Sequence, residues 1–269
     1  MVDEDAINKS QKLSIPDIPG VSLVAFYGEK PGALQQLIVS LQQLLQREFR
    51  DNYIPYDIEQ VHATIIGCEG LKTEAGIVNK WFYTLKNEIV YLDIAGFLKY
   101  LSTPRLLPLE ICFAGYQPNI NYQFLSRNRH PSDRSIQLQI SGNSLIPILI
   151  GWSRCKEHIS ISDDIEQLRR NLQQFGFLHK YHEQPQDIDN DVYLRLGTIV
   201  GEYNPQFVAT IQQKINNYLQ TLAPINITVG KENLAIVKYQ DLALTFNSTR
   251  IYSLTNLNVS YNFWQQLYS

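Results

Sequence analysis

The sequence predicts an α+β fold of two pseudo-symmetric lobes, in which antiparallel sheets form a central cleft and helices pack on the outside. Two observations carry this expectation. Strand and helix signals alternate along the chain, with no linker or low-complexity stretch to mark a domain boundary. Two segments, HATIIGCE (62–69) and LGTIVGEY (196–203), also share a threonine, an isoleucine, an aliphatic residue and a glycine at matching offsets, Thr64 with Thr198 and Gly67 with Gly201. The chain therefore reads as two related halves. A polar segment over 1–18, expected to be flexible, precedes a single bilobal domain over 19–269.

The elements follow in order. VSLVAF (21–26) is a short apolar run and predicts a buried strand. In GALQQLIVSLQQLLQREF (32–49), Leu34, Leu37, Ile38, Leu41, Leu44, Leu45 and Phe49 share one helical face, so a helix begun by Pro31 is expected to lie on the sheet. VHATIIGCEG (61–70) is a second core strand closed by Gly67 and Gly70. Thr73 is then the expected cap of a helix presenting Ile77, Val78, Trp81, Phe82 and Leu85 to the core. PLEICFAGY (108–116) and SIQLQI (135–140) read as strands, the second with the period-two alternation of a half-exposed one. Asp163 and Glu166 have capping-box spacing ahead of Ile165, Leu168, Leu172 and Phe175, with Gly176 as the stop. Asn204 and Pro205 predict the start of a helix through Val208, Ile211, Ile215, Tyr218, Leu219 and Leu222. LAIVKYQDLALTF (234–246) and IYSL (251–254) complete the strands.

Composition narrows the function classes. A net charge of −3 gives no overall attraction to long nucleic acid or to an acidic membrane, so any anion site must be local. Cys68, Cys112 and Cys155 are odd in number, far apart and without a CxxC pair, and read as buried reduced thiols. No apolar run reaches the roughly 18 residues of a membrane span, and the opening residues are acidic and polar, so a cytoplasmic protein without a membrane partner is expected.

One motif carries chemistry. In VHATIIG (61–67), His62 and Thr64 stand two residues apart on a strand and project to the same face, so an imidazole and a hydroxyl can approach one anion. With the partial repeat and the order of elements, this resembles the two-histidine phosphoesterase superfamily, which includes bacterial RNA-ligase-like proteins and cyclic phosphodiesterases. The likeness runs from about Val21 to the last strands. It implies that two motif strands lie side by side in a cleft floor, with two histidines and their companion hydroxyls, here Thr64 and Thr198, aimed at one phosphate. It implies metal-independent hydrolysis of a 2′,3′-cyclic phosphate: one histidine takes the proton of water, the other protonates the departing oxygen, and the hydroxyls donate to the nonbridging oxygens. No metal or organic cofactor is expected.

The second motif departs from the pattern. With the threonines aligned, Leu196 holds the place of the second histidine; sliding by one puts Arg195 there and Gly197 in place of the threonine, and flips every side chain. Arg195 stays protonated at physiological pH, so it can clamp a phosphate but not act as a base.

A second proton carrier is sought among the other histidines. His158 in EHISI resembles an H-x-S motif on a strand-to-helix connection; His179 and His182 fall in a polar run and read as a solvated loop. The loop SRNRHPSDRS (126–135) gathers Arg127, Arg129, His130 and Arg134 around a single acid, Asp133, and is either a phosphate clamp folded over the cleft or a solvated surface loop. Tyr193 and Tyr203, beside the second motif, are candidates for stacking a base. Three classes compete: a cyclic phosphodiesterase, a non-catalytic binder of a nucleotide or short RNA end, and a purely structural or protein-interaction protein.

Overall fold

The computed structural model describes residues 13–103, 107–154, 160–255 and 261–268. Cys155, His158 and most of the N-terminal segment lie outside these residues.

The first half contributes β1 (Gly20–Ala25), α1 (Gly32–Phe49), β2 (Tyr53–Pro55), β3 (Ala63–Gly67), the hairpin of β4 (Gly70–Lys72) and β5 (Ile77–Asn79), and α2 (Ile94–Leu101). The second contributes β6 (Leu109–Phe113), β7 (Ile136–Ser141), β8 (Ser144–Ser153), α3 (Asp164–Asn171), β9 (Asp191–Arg195), β10 (Gly197–Val200), α4 (Pro205–Thr221) and β11 (Ile225–Val229). β12 (Leu234–Tyr239), β13 (Thr249–Ser253) and α5 (Tyr261–Leu267) follow. Among the described residues no helix is long and apolar enough to cross a membrane.

The fold is α+β with a large, curled antiparallel sheet around a cleft. Its main path runs β11-β6-β8-β9-β3-β1-β12-β13, with β7 and β10 added on β8 and β2 on β10. Four strands of this path lie on either side of the junction between β9 and β3, where the two halves of the sheet join. That junction is a single paired position, Ala63 opposite Leu194. A register shift in the β1–β3 pair lies between Leu23 and Val24, and Ile65 and Ile66, adjacent residues of β3, are both buried.

Strand alternation divides the side chains between two faces. Leu23, Ala63, Ile65, Val192 and Leu194 enter the main core, where α1 places Leu34, Leu37, Ile38, Leu41, Leu45 and Phe49 and α4 places Ile211, Ile215 and Leu219. On the other face two smaller clusters, Val24 with Val237 and Tyr239, and Ile148 with Ile150 and Trp152, flank a polar strip. Asn204 caps α4 as expected, its Oδ1 accepting from the Gln206 N–H at 2.8 Å.

Two local expectations are corrected. Residues 77–79 form β5, and the helix expected there is confined to residues 80–86, which carry Trp81, Phe82 and Leu85. Thr73 closes a turn instead: its N–H and hydroxyl both donate to the Gly76 carbonyl, at 2.8 and 2.9 Å, and Gly76 at φ 151° reverses the chain into the hairpin. Asp163 precedes α3 without a side-chain capping bond, because the Glu166 N–H donates to Asn190 Oδ1 at 3.2 Å instead; the Glu166 carboxylate, which would close the box, is committed to His182 and Arg170.

Gly176 does end this helical stretch, at φ 80°, and an added Cβ would lie 2.4 Å from the Tyr91 carbonyl oxygen. Gly176→Ala is therefore expected to cost roughly 1–3 kcal/mol in urea unfolding. A wild-type midpoint would show that the Tyr91 backbone moves aside freely.

Candidate functional site

The polar strip is the floor of a cavity of about 300 Å³ lined by His62, Thr64, Tyr193, Arg195, Lys180 and Tyr181, among others. The junction of β3 and β9 creates it. Because Ala63 faces Leu194 and both point into the core, the residues on either side point into the cleft: His62 and Thr64 from one strand, Arg195 and Tyr193 from the other. In antiparallel register His62 falls beside Arg195 and Thr64 beside Tyr193.

The partner of the His62 motif is therefore Tyr193-Leu194-Arg195, not the LGTIVGEY segment. Gly197, at φ 158°, turns the chain out of β9 into β10, where Thr198 pairs with Ile54 and its hydroxyl lies 3.3 Å from the Tyr56 hydroxyl, away from the cavity lining. Leu196 is fully buried, and its carbonyl accepts from Tyr53, Tyr56 and Gln42. The match of threonines and glycines between the two segments is a likeness of composition, and the strand register overrides it.

His62 is held in one tautomer. Its Nδ1 lies 2.7 Å from the Gln60 carbonyl, which can only accept, so Nδ1 carries the proton and Nε2 the lone pair. Burial pushes the imidazole down to about 4; the Gln60 bond opposes this, while the charges of Arg195 and Lys30 add to it. His62 is neutral near pH 7, with its Nε2 lone pair unprotonated. The Tyr27 ring packs against it at 5.6 Å between centroids. Arg195 reaches the Leu242 carbonyl at 3.4 Å on the opposite wall.

Tyr193 cannot take the part of a second histidine. Its hydroxyl donates to Asp191 Oδ2 at 2.9 Å and accepts from Arg134. Burial, then the Asp191 charge, push its pKa up, against the opposing pull of Arg134. Asp191 in turn accepts from Ser126 at 2.8 Å, from the Trp152 indole and from Arg134, all buried.

The loop over 126–135 divides. Arg134, at 3% exposure, is consumed by Asp191. His130 caps a short turn, its Nδ1 2.8 Å from the Ser132 hydroxyl and its Nε2 2.9 Å from the Ile120 carbonyl, so it does not reach the cleft as the missing acid. Arg129 bonds the Asp133 carbonyl at the surface. Arg127 is outside the cavity lining but stacks on a residue of it, its guanidinium 5.6 Å from the centre of the Tyr193 ring. Tyr203 packs on Phe49 and Phe207 beside α4, away from the cavity lining.

His179 and His182 are buried, contrary to the solvated loop expected of them. His179 Nε2 donates to Asp189 Oδ2 at 2.7 Å and His182 Nε2 to Glu166 Oε2 at 2.9 Å. Arg169 completes the group: it donates to the Ile65 carbonyl at 2.8 Å, the Thr64 carbonyl at 3.2 Å and the Asp189 carbonyl at 2.6 Å. Burial pushes His179 down to about 3. At Asp189 burial acts upward but is outweighed by Arg169 and the His179 bond, which hold the carboxyl at about 2. Arg169, His179 and Asp189 also line the cavity, and His179 Nδ1 is buried without a hydrogen-bond partner among the described residues.

The sequence offered little signal for Arg169, Asp189, Lys180 and Tyr181, whose partners are set by the fold. Among the described residues no three His, Cys, Asp or Glu side chains gather as metal ligands.

No family model and no curated protein matches the chain. Among solved structures it is similar to TT0787 of Thermus thermophilus, at 10% identity and a TM-score of 0.35 over 87% of this chain and 97% of that one. It is also similar to ATU0111, a conserved protein of unknown function from Agrobacterium tumefaciens, at 14% identity and a TM-score of 0.42 over 82% and 81% of the two chains.

Proposed function

We propose that the chain is a phosphoesterase-like protein whose cleft binds the phosphorylated or 2′,3′-cyclic-phosphate end of a nucleotide or short RNA. The observation that carries this is the grouping of His62, Thr64 and Arg195 on one face of two adjacent strands. A guanidinium supplies the permanent charge, the hydroxyl a donor, and the imidazole a group that protonates when an anion arrives. Binding without turnover is favoured because the place of the second proton carrier is taken by a tyrosine whose hydroxyl already serves Asp191.

One observation favours residual hydrolysis: the tautomer of His62 leaves a lone pair free to take a proton from water. Calorimetry with 2′,3′-cyclic and 3′-phosphorylated nucleotides, paired with chromatography for product, separates the two. His62→Ala and Arg195→Ala are each expected to weaken binding by about 10- to 100-fold, the worth of a charge-assisted hydrogen bond, with no product from wild type. Product from wild type that disappears in His62→Ala would establish the enzyme instead. No binding and no product would end both readings.

A further inference from the structure

Two cations without a close carboxylate partner among the described residues stand at the edge of the cavity, on the ring of Tyr181. The Arg127 guanidinium lies 4.9 Å from the centre of the Tyr181 ring and the Lys180 ammonium 4.8 Å from it. Arg127 is 45% exposed, and its nearest carboxylate oxygen, Asp189 Oδ1, is at 3.9 Å, beyond hydrogen-bonding distance. Among the described residues neither charged group makes a hydrogen bond. In a chain of net charge −3, such an arrangement is complementary to an anion from outside.

The backbone holds Arg127 there against its own preference. Arg127 and Asn128 occupy the two central positions of a tight turn closed by Ser126 and Arg129, at 2.9 and 3.0 Å, and both have positive φ, 49° and 61°. Glycine and asparagine suit such a turn; arginine is strained in it. Ser126 is anchored by Asp191, so the turn, and with it Arg127, is fixed to the strand that carries Tyr193 and Arg195. Those two residues are about 7 Å apart along β9 at the usual strand rise. Arg127 over Tyr193 therefore sits one step along β9 from Arg195, the cation of the inner site.

We propose that Arg127, Lys180 and Tyr181 form a second phosphate subsite, so that the ligand is a single-stranded oligonucleotide with at least two phosphates and not a mononucleotide. This rests on the inner site being the phosphate site proposed above. The terminal phosphate lies at His62, Thr64 and Arg195, and the preceding phosphodiester lies at the cavity edge.

Binding of adenosine 3′-monophosphate and of an RNA tetranucleotide ending in a 3′-phosphate, measured by calorimetry over a range of salt, tests this on wild type, Arg195→Ala and an Arg127→Ala/Lys180→Ala double variant. Wild type is expected to prefer the tetranucleotide about tenfold, with a salt slope steeper by about 0.7 for the extra phosphate, and the double variant to lose both the preference and the extra slope. An unchanged preference in the double variant, with Arg195→Ala still weakening both ligands, overturns the subsite and leaves the inner site standing. Failure of both ligands to bind wild type overturns the two together. A doubly phosphorylated peptide binding as tightly as the tetranucleotide overturns the nucleic-acid assignment.

Discussion

Asp191→Asn is expected to lower unfolding stability by about 3–5 kcal/mol, because it leaves a buried arginine without its counter-charge. Asp191 and Arg134 are each 3% exposed, and the same carboxylate also accepts from Ser126, Trp152 and Tyr193. At the size of this chain that loss corresponds to a fall in Tm on the order of 10 °C. Removing both charges while keeping an acceptor, Arg134→Met with Asp191→Asn, is expected to cost less than the single change, since no charge is then stranded and the new amide oxygen still accepts from Ser126 and Trp152. Urea unfolding of the two variants beside wild type reads this directly. A loss below about 1 kcal/mol for Asp191→Asn would mean that Arg134 finds solvent and that the site is less closed than its exposure indicates.

The second large effect is a loss of stability on acidification that starts unusually early. His179, held near 3, and His62, near 4, are neutral in the folded chain but titrate near 6.5 when unfolded. A depressed folded value means that the unfolded state binds the proton first. Their contribution is thus complete above about pH 6.5 and is lost progressively as pH falls towards 4 and then 3. Asp189 and Glu166, both held near 2, act in the same direction from the ordinary carboxylate range downward. Unfolding free energy measured from pH 8 to 4 should therefore start to fall about two pH units above the point at which carboxylates alone would act. His179→Gln should flatten the upper part of that curve. A flat profile between pH 7 and 5 would contradict the burial of a neutral His179.

How much of this was legible in the sequence depended on whether the determining contacts were local. α1 and α4 follow from repeated apolar spacing, and Asn204 and Gly176 are local signals that act within a few residues. Ile77 and Val78 are apolar neighbours compatible with either period, and what decided for a strand was the pairing with Gly70–Lys72. At the site, His62 and Thr64 were legible because two residues suffice to place them on one face. Their partner strand was not: the choice of Leu194 over Leu196 opposite the motif is made by contacts some 130 residues away in the chain. Charge was the poorest guide. Arg134 sits in a run that reads as either a phosphate clamp or a solvated loop, and it is neither, because it is buried against Asp191, 57 residues on; His182 is buried because Glu166 lies 16 residues before it.

The junction between the halves has a mechanical meaning. Backbone pairing across it stops after one rung, and beyond that rung the stitching passes to Arg169, whose guanidinium grips two carbonyls of β3 and one just before β9. Along this seam of the sheet, spreading the strands does not require unzipping a ladder; it requires one amide pair to part and one side chain to let go. The span of a guanidinium, not the spacing of a β-ladder, gauges how wide the floor of the cleft stands open.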